Sequence, residues 1–177
     1  EMCIRDSYLR GRIPHRTKGL EVAREAYALA PHIPGIVTLL GRAELLTGRG
    51  KAAVTTLTRA VTENPDDAMA HYMLGLAHRA RRNPGAAIAS LDRALALDDS
   101  KLEPRLARAQ LALDTRDLAT AERMANAIRD EWPDAFRAHL LAGDAATLRN
   151  DRAGAVSAYE RAVEIEASRD AAFRLFQ

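Results

Sequence analysis

Residues 40–65, LGRAELLTGRGKAAVTTLTRAVTENP, and residues 74–99, LGLAHRARRNPGAAIASLDRALALDD, repeat one pattern of small and large residues 34 positions apart. Gly41 falls on Gly75, Ala53 on Ala87, Leu57 on Leu91 and Ala60 on Ala94. Two further steps of 34 continue these columns to Ala109 and Gly143, Ala121 and Ala155, Ala125 and Tyr159, and Ile128 and Ala162. Pro65, Asp99, Pro133 and Ala167 form one more. Columns in register over four copies, without an insertion, mark an array of stacked structural units.

The units are helical. Hydrophobic residues make up 47% of the chain. Alanine and leucine dominate them, and these lose little side-chain freedom in a helix. Gly48-Arg49-Gly50, Asn83-Pro84-Gly85, Asp117 and Asn150-Asp151 are turn and cap residues at matching places, so each unit reads as a helix pair. Each helix is about 12 to 14 residues long, near the usual length. Small residues at Gly41, Gly75, Ala109 and Gly143 let two backbones approach. Asp66, Ser100, Asp134 and Ser168 follow the proline column and are expected N-caps of the next helix.

A period of 34 with these small residues resembles the tetratricopeptide repeat (TPR) family. The residues that carry the likeness are Leu40-Gly41 and Leu74-Gly75 in first helices. In second helices they are Ala53, Leu57, Ala60 and Ala87, Leu91, Ala94, and the closing prolines are Pro65 and Pro133. The resemblance implies an all-α, right-handed superhelical solenoid of antiparallel helix pairs, with units at 34–67, 68–101, 102–135 and 136–169. Departures fall at the family's first aromatic position (Val37, His71, Arg105, His139) and at its tyrosine position (Glu44, His78, Ala112, Ala146). Arg108 stands at a large apolar position of the third unit.

The family's concave groove is lined by first helices and binds partners. Carried over residue by residue, its lining becomes Thr38, Arg42, Met69, Tyr72, Leu76, Arg79, Glu103, Leu106, Gln110, Arg137, Leu140 and Asp144. Met, Tyr and Leu among a few charges suit an extended peptide or a partner helix. The Lys/Asn clamp with which some TPR proteins hold C-terminal carboxylates is missing, since its positions read Thr38, Arg42 and Met73.

The flanks differ from the repeats. Met2-Cys3-Ile4-Arg5-Asp6-Ser7 resembles a translated sequencing-adapter end, so residues 1–7 and the lone cysteine are set aside from fold reasoning. Residues 8–33 read as a partial repeat with its second helix at about 17–30, and the pattern breaks within 1–14. Residues 170–177 read as the start of a further first helix. The expectation is an internal piece of a longer array, whose apolar ends could associate end to end.

Little else in the chain suggests chemistry. With 26 basic and 24 acidic residues the net charge is +2, and no clustered nucleic-acid surface is expected. The short run His78-Arg79-Ala80-Arg81-Arg82 suits a solvated helix end. No stretch approaches the roughly 20 apolar residues of a membrane span. His71 and His139 share a position where the family packs a ring, and His71 with His78 is a weak metal signal. Phosphate loops, zinc-protease and nucleophile-elbow motifs are absent. The chain is expected to hold no catalytic residue, no cofactor and no metal.

Residues 104–177 are similar to the TPR-repeat protein of bacterial PEP-CTERM/exosortase systems, through Pro104-Arg105-Leu106, Ala142-Gly143-Asp144 and Arg174-Leu175-Phe176. That likeness implies an envelope or periplasmic scaffold in exopolysaccharide biogenesis, and without it a cytoplasmic adaptor is expected. The alternative is the regulatory or substrate-recognition arm of a larger enzyme, such as a sulfotransferase or glycosyltransferase.

Overall fold

The computed structural model describes residues 2–166 and 169–175, so the expected cap Ser168 lies outside them. Among the described residues there are ten α-helices and no strand. They are α1 (Met2–Leu29), α2 (Pro34–Leu46), α3 (Gly50–Glu63), α4 (Ala68–Ala80), α5 (Pro84–Leu97), α6 (Leu102–Asp114), α7 (Leu118–Glu131), α8 (Phe136–Leu148), α9 (Arg152–Ile165) and α10 (Arg169–Leu175). Two compact units result, one up to Leu97 and one from Asp98. In each, consecutive helices pack on one another. First helices also meet across the intervening second helix, α2 with α4 and α6 with α8. This is the all-α helix-pair architecture expected from the sequence.

The turns explain why the period holds. Gly48, Arg82, Arg116 and Asn150 have φ of 77°, 56°, 62° and 62°, one left-handed residue per hairpin. The next residue's N–H reaches back to the helix: Arg49 to the Glu44 carbonyl (2.8 Å), Asn83 to His78 (3.0 Å), Asp117 to Ala112 (2.9 Å) and Asp151 to Ala146 (2.9 Å). Four turns thus end their first helix with the same Schellman arrangement. Only Gly48 enters it without steric cost. For an L-residue the left-handed region costs roughly 1–2 kcal/mol, which Arg82 and Arg116 bear.

The cap expectation needs correcting. The first helices begin one residue later than supposed, so the N-cap of α4 is Asp67, whose Oδ1 accepts from the Ala70 N–H at 3.0 Å. Asp66 is instead paired with Arg93 (3.1 Å), and Asp134 with Arg161 (3.4 Å). Ser100 donates to Asp98 (2.6 Å), and Lys101 and Ala135 hold the N-cap positions of α6 and α8 without a side-chain bond. Three second helices are capped where expected: Asn83 accepts from Ala86 N–H (3.3 Å), Asp117 from Thr120 (3.1 Å) and Asp151 from Gly154 (3.0 Å), whereas Arg49 at the start of α3 makes no side-chain cap.

The core is built from column pairs. A Cβ added at Gly75 would lie 2.6 Å from Leu91 Cγ, and one at Gly41 or Gly143 would overlap Leu57 or the Tyr159 ring. Where the second-helix partner shrinks to Ala125, the first helix carries Ala109, and both are fully buried in one cluster. Despite the departure at Arg108, the third repeat has a core: Leu106, Ala109, Leu113, Ala121, Ala125 and Ile128 pack with α8 residues Ala138 and Leu141. In α1, Leu20 and Ala23 pack against Leu40 and Ala43 of α2. This helix also runs on through the stretch where the repeat pattern breaks.

Candidate partner-binding surface

The side chains carried over as groove lining divide by burial. In the first unit Met69 is 50% exposed and Arg42 is exposed, while Tyr72, Leu76 and Arg79 are half-buried. Tyr72 and Leu76 rest on the cluster of Leu57, Met73 and Leu74, leaving part of each side chain at the surface. Thr38 is buried, and its hydroxyl donates to Asp67 Oδ2 at 2.9 Å. It therefore ties α2 to the cap of α4 and has no face to offer a ligand. In the second unit Leu106 and Leu140 are buried in core clusters, and Glu103 and Arg137 are exposed.

Gln110 and Asp144 come together at one place. They line an open hollow of about 1020 Å³ in the second unit, with Asp114, Arg116, Thr147, Leu148, Arg152, Val156, Tyr159, Phe173 and Arg174. Helices α6, α8, α9 and α10 all contribute. Leu148 and Val156 supply apolar surface, and Phe173 stands 65% exposed. Gln110 donates to Asp114 at 3.2 Å. Asp144 accepts the Tyr159 hydroxyl at 2.9 Å and is ion-paired with Arg174. The Thr147 hydroxyl lies 3.2 Å from that of Tyr159. Burial first, then the Asp144 carboxylate, push the Tyr159 phenol above its ordinary pKa, so at neutral pH it remains a protonated donor. The hollow thus offers carboxylate and amide acceptors, guanidinium donors and an apolar lip, the makings of a binding site.

Sequence reasoning missed Tyr159 and Thr147. Tyr159 occupies a core column shared with Leu57 and Leu91, and its ring does fill that place. Its hydroxyl extends beyond where an aliphatic chain would end, and Gly143 makes the room. A lone tyrosine in a leucine column opposite glycine is the signal that could have found it.

The histidines have a different role. His71 Nε2 lies 3.0 Å from the Pro65 carbonyl, and His139 Nε2 lies 2.8 Å from that of Pro133. A carbonyl only accepts, so Nε2 carries the proton in both. Arg105, in the same column, donates Nε to the Asp99 carbonyl at 2.8 Å. Its guanidinium also pairs with Glu131 (2.7 Å) and lies 5.0 Å from the centre of the Trp132 ring. In three of the four repeats the family's aromatic position has thus become a donor that pins the first helix to the preceding loop, while Val37 in the other is buried among apolar side chains. Burial lowers the pKa of His78. Among the described residues no cluster of His, Cys, Asp and Glu could hold a metal ion, and no helix is long and apolar enough to cross a membrane.

Comparison with known proteins follows the same lines. The family model described as tetratricopeptide repeat matches residues 38–101 and 106–172. A comparison with curated protein sequences gives no match. Among solved structures, a MamA protein is 24% identical with a TM-score of 0.73, covering 86% of each chain. TTC0263, a thermophilic TPR protein from Thermus thermophilus, is 18% identical with a TM-score of 0.79, covering 97% of this chain and 95% of its own. YrrB, a TPR protein described as having an unusual peptide-binding site, is 19% identical with a TM-score of 0.73, covering 94% and 86%. At these identities the likeness is one of fold.

Proposed function

We propose, from the premise that this chain belongs to the tetratricopeptide repeat family, that it is a non-catalytic scaffold binding an extended peptide or a partner helix. The observation that carries this reading is the hollow of about 1020 Å³, where Gln110 and Asp144, equivalent positions of successive first helices, meet an apolar lip. Such a mixture suits a segment with one apolar anchor and polar groups on either side. In the first unit Arg42 and Leu76 are the corresponding positions, and Met69, Tyr72 and Arg79 complete the proposed lining, without the buried Thr38. The peptide-binding site attributed to YrrB supports the same reading by analogy of fold.

The test is selection of peptides from a random displayed library, followed by titration of the winners against the chain and its Gln110→Arg variant. A bulky cation in the hollow is expected to weaken binding about tenfold, a change of roughly 1.4 kcal/mol, with the melting temperature unchanged. Equal affinity for both proteins would move the site elsewhere.

The finer role proposed is in bacterial envelope exopolysaccharide biogenesis. It is supported by the sequence likeness around Pro104-Arg105-Leu106, Ala142-Gly143-Asp144 and Arg174. Sequencing the native locus through both ends tests it. More 34-residue units with polysaccharide genes alongside would uphold it, and a sulfotransferase or glycosyltransferase domain joined downstream would replace it with an enzyme's recognition arm.

A further inference from the structure

The hairpin turns of the first unit hold a second charged feature, unrelated to the hollow above. An open depression of about 650 Å³ is lined by Arg49, Gly50, Lys51, Thr55, Thr56 and Arg81. Arg81 belongs to the α4–α5 turn, and its stem crosses Gly50 so closely that a Cβ there would lie 3.2 Å from Arg81 Cδ. Arg82 follows in the same turn. Arg49, Lys51, Arg81 and Arg82 are all exposed, and none of them joins an ion pair among the described residues. The adjacent carboxylate, Glu44, is turned inward, 7% exposed, and accepts from the Thr56 hydroxyl at 2.8 Å.

The second unit shows what equivalent positions do when they are neutralised internally. Two periods on, Arg81 becomes Arg149, which is ion-paired with Glu122. Glu122 corresponds to Val54, and the cap Asp117 corresponds to Arg49. Ala119 stands where the first unit has Lys51. The first unit therefore lacks the acid that pairs with this arginine, and it carries cations where the second unit has the cap Asp117 and Ala119. Glu122 also shows that a side-chain carboxylate fits against this arginine.

We infer that the depression between the α2–α3 and α4–α5 turns is a docking surface for an acidic polypeptide segment, one of whose carboxylates takes the place that Glu122 fills in the second unit. A carboxylate facing several exposed guanidinium groups gains charge-assisted, partly bidentate hydrogen bonds. Binding of this kind is screened by salt.

The test is fluorescence anisotropy of labelled hexaglutamate with the whole chain, at low and at physiological ionic strength. The wild type is expected to bind and to weaken with salt. Arg49→Asp combined with Arg81→Ala is expected to lose at least about tenfold in affinity. Its melting temperature should be unchanged or higher, because the aspartate restores the missing cap. Val54→Glu, which supplies the acid within the chain, should reduce binding likewise. Undiminished binding by the Arg49→Asp/Arg81→Ala protein would overturn the inference. So would a single-stranded oligonucleotide binding more tightly than hexaglutamate, which would assign the surface to nucleic acid.

Discussion

At Gly75 the first helix gives up its side chain, and Leu91 of the second helix fills the space. One repeat later, in the other unit, Ala109 and Ala125 share the equivalent contact, both fully buried. Gly143 returns to the first solution, with a tyrosine ring in place of the leucine. The comparison shows what the small-residue column preserves. It tolerates a Cβ on the first helix only where the second helix has reduced its own side chain to a methyl. Close-packed interiors have no slack for both.

Ala87→Trp should break the Gly75–Leu91 layer most severely. Ala87 is fully buried, and its carbonyl lies 3.3 Å from where a Gly75 Cβ would be. A loss of about 3 kcal/mol or more is expected in denaturant unfolding, at the upper end of overpacking costs. Gly75→Ala and Gly143→Ala sharpen the comparison. Each should cost roughly 1–3 kcal/mol, with the larger loss at Gly143, because a tyrosine ring cannot bend away as a leucine can. Smaller and opposite in sign is Arg116→Gly in the turn closing the Ala–Ala hairpin. Relief of its left-handed backbone should stabilise by about 0.5–1 kcal/mol, visible as a higher denaturation midpoint.

The smallest effect concerns pH. Hydrogen bonds from Thr120 hold the Asp117 carboxyl below its ordinary pKa. A lowered folded-state pKa gives stability that is present above the unfolded pKa and lost as pH falls through the folded one. Acid titration of the wild type should therefore show a small stability loss below the ordinary carboxylate range, and Asp117→Asn should flatten it.

Most of the fold could be read from the sequence, because packing fixes residue size at fixed spacing and size is written in the residue type. Gly41, Gly75 and Gly143 all stand where the columns required. The caps were less legible. Asp66 and Asp67 are equally good candidates by type, and only the helix start decides that Asp67 caps while Asp66 pairs with Arg93. Arg105 looked like a defect and proved to donate to the same backbone position as His71 and His139. The candidate site was legible only in part. Gln110 and Asp144 lie in the hollow, but whether Thr38, Leu106 or Leu140 faces outward depends on helix rotation and on neighbours such as Asp67.

The central claim is that the two members of each column pair are coupled, and a double-mutant cycle tests it directly. Ala125→Leu alone should destabilise by roughly 1–3 kcal/mol through overlap with the Ala109 methyl. Adding Ala109→Gly recreates the Gly–Leu pair of the other layers and should recover most of that loss, a coupling of at least about 1 kcal/mol. Additivity of the two substitutions to within about 0.5 kcal/mol would contradict the account.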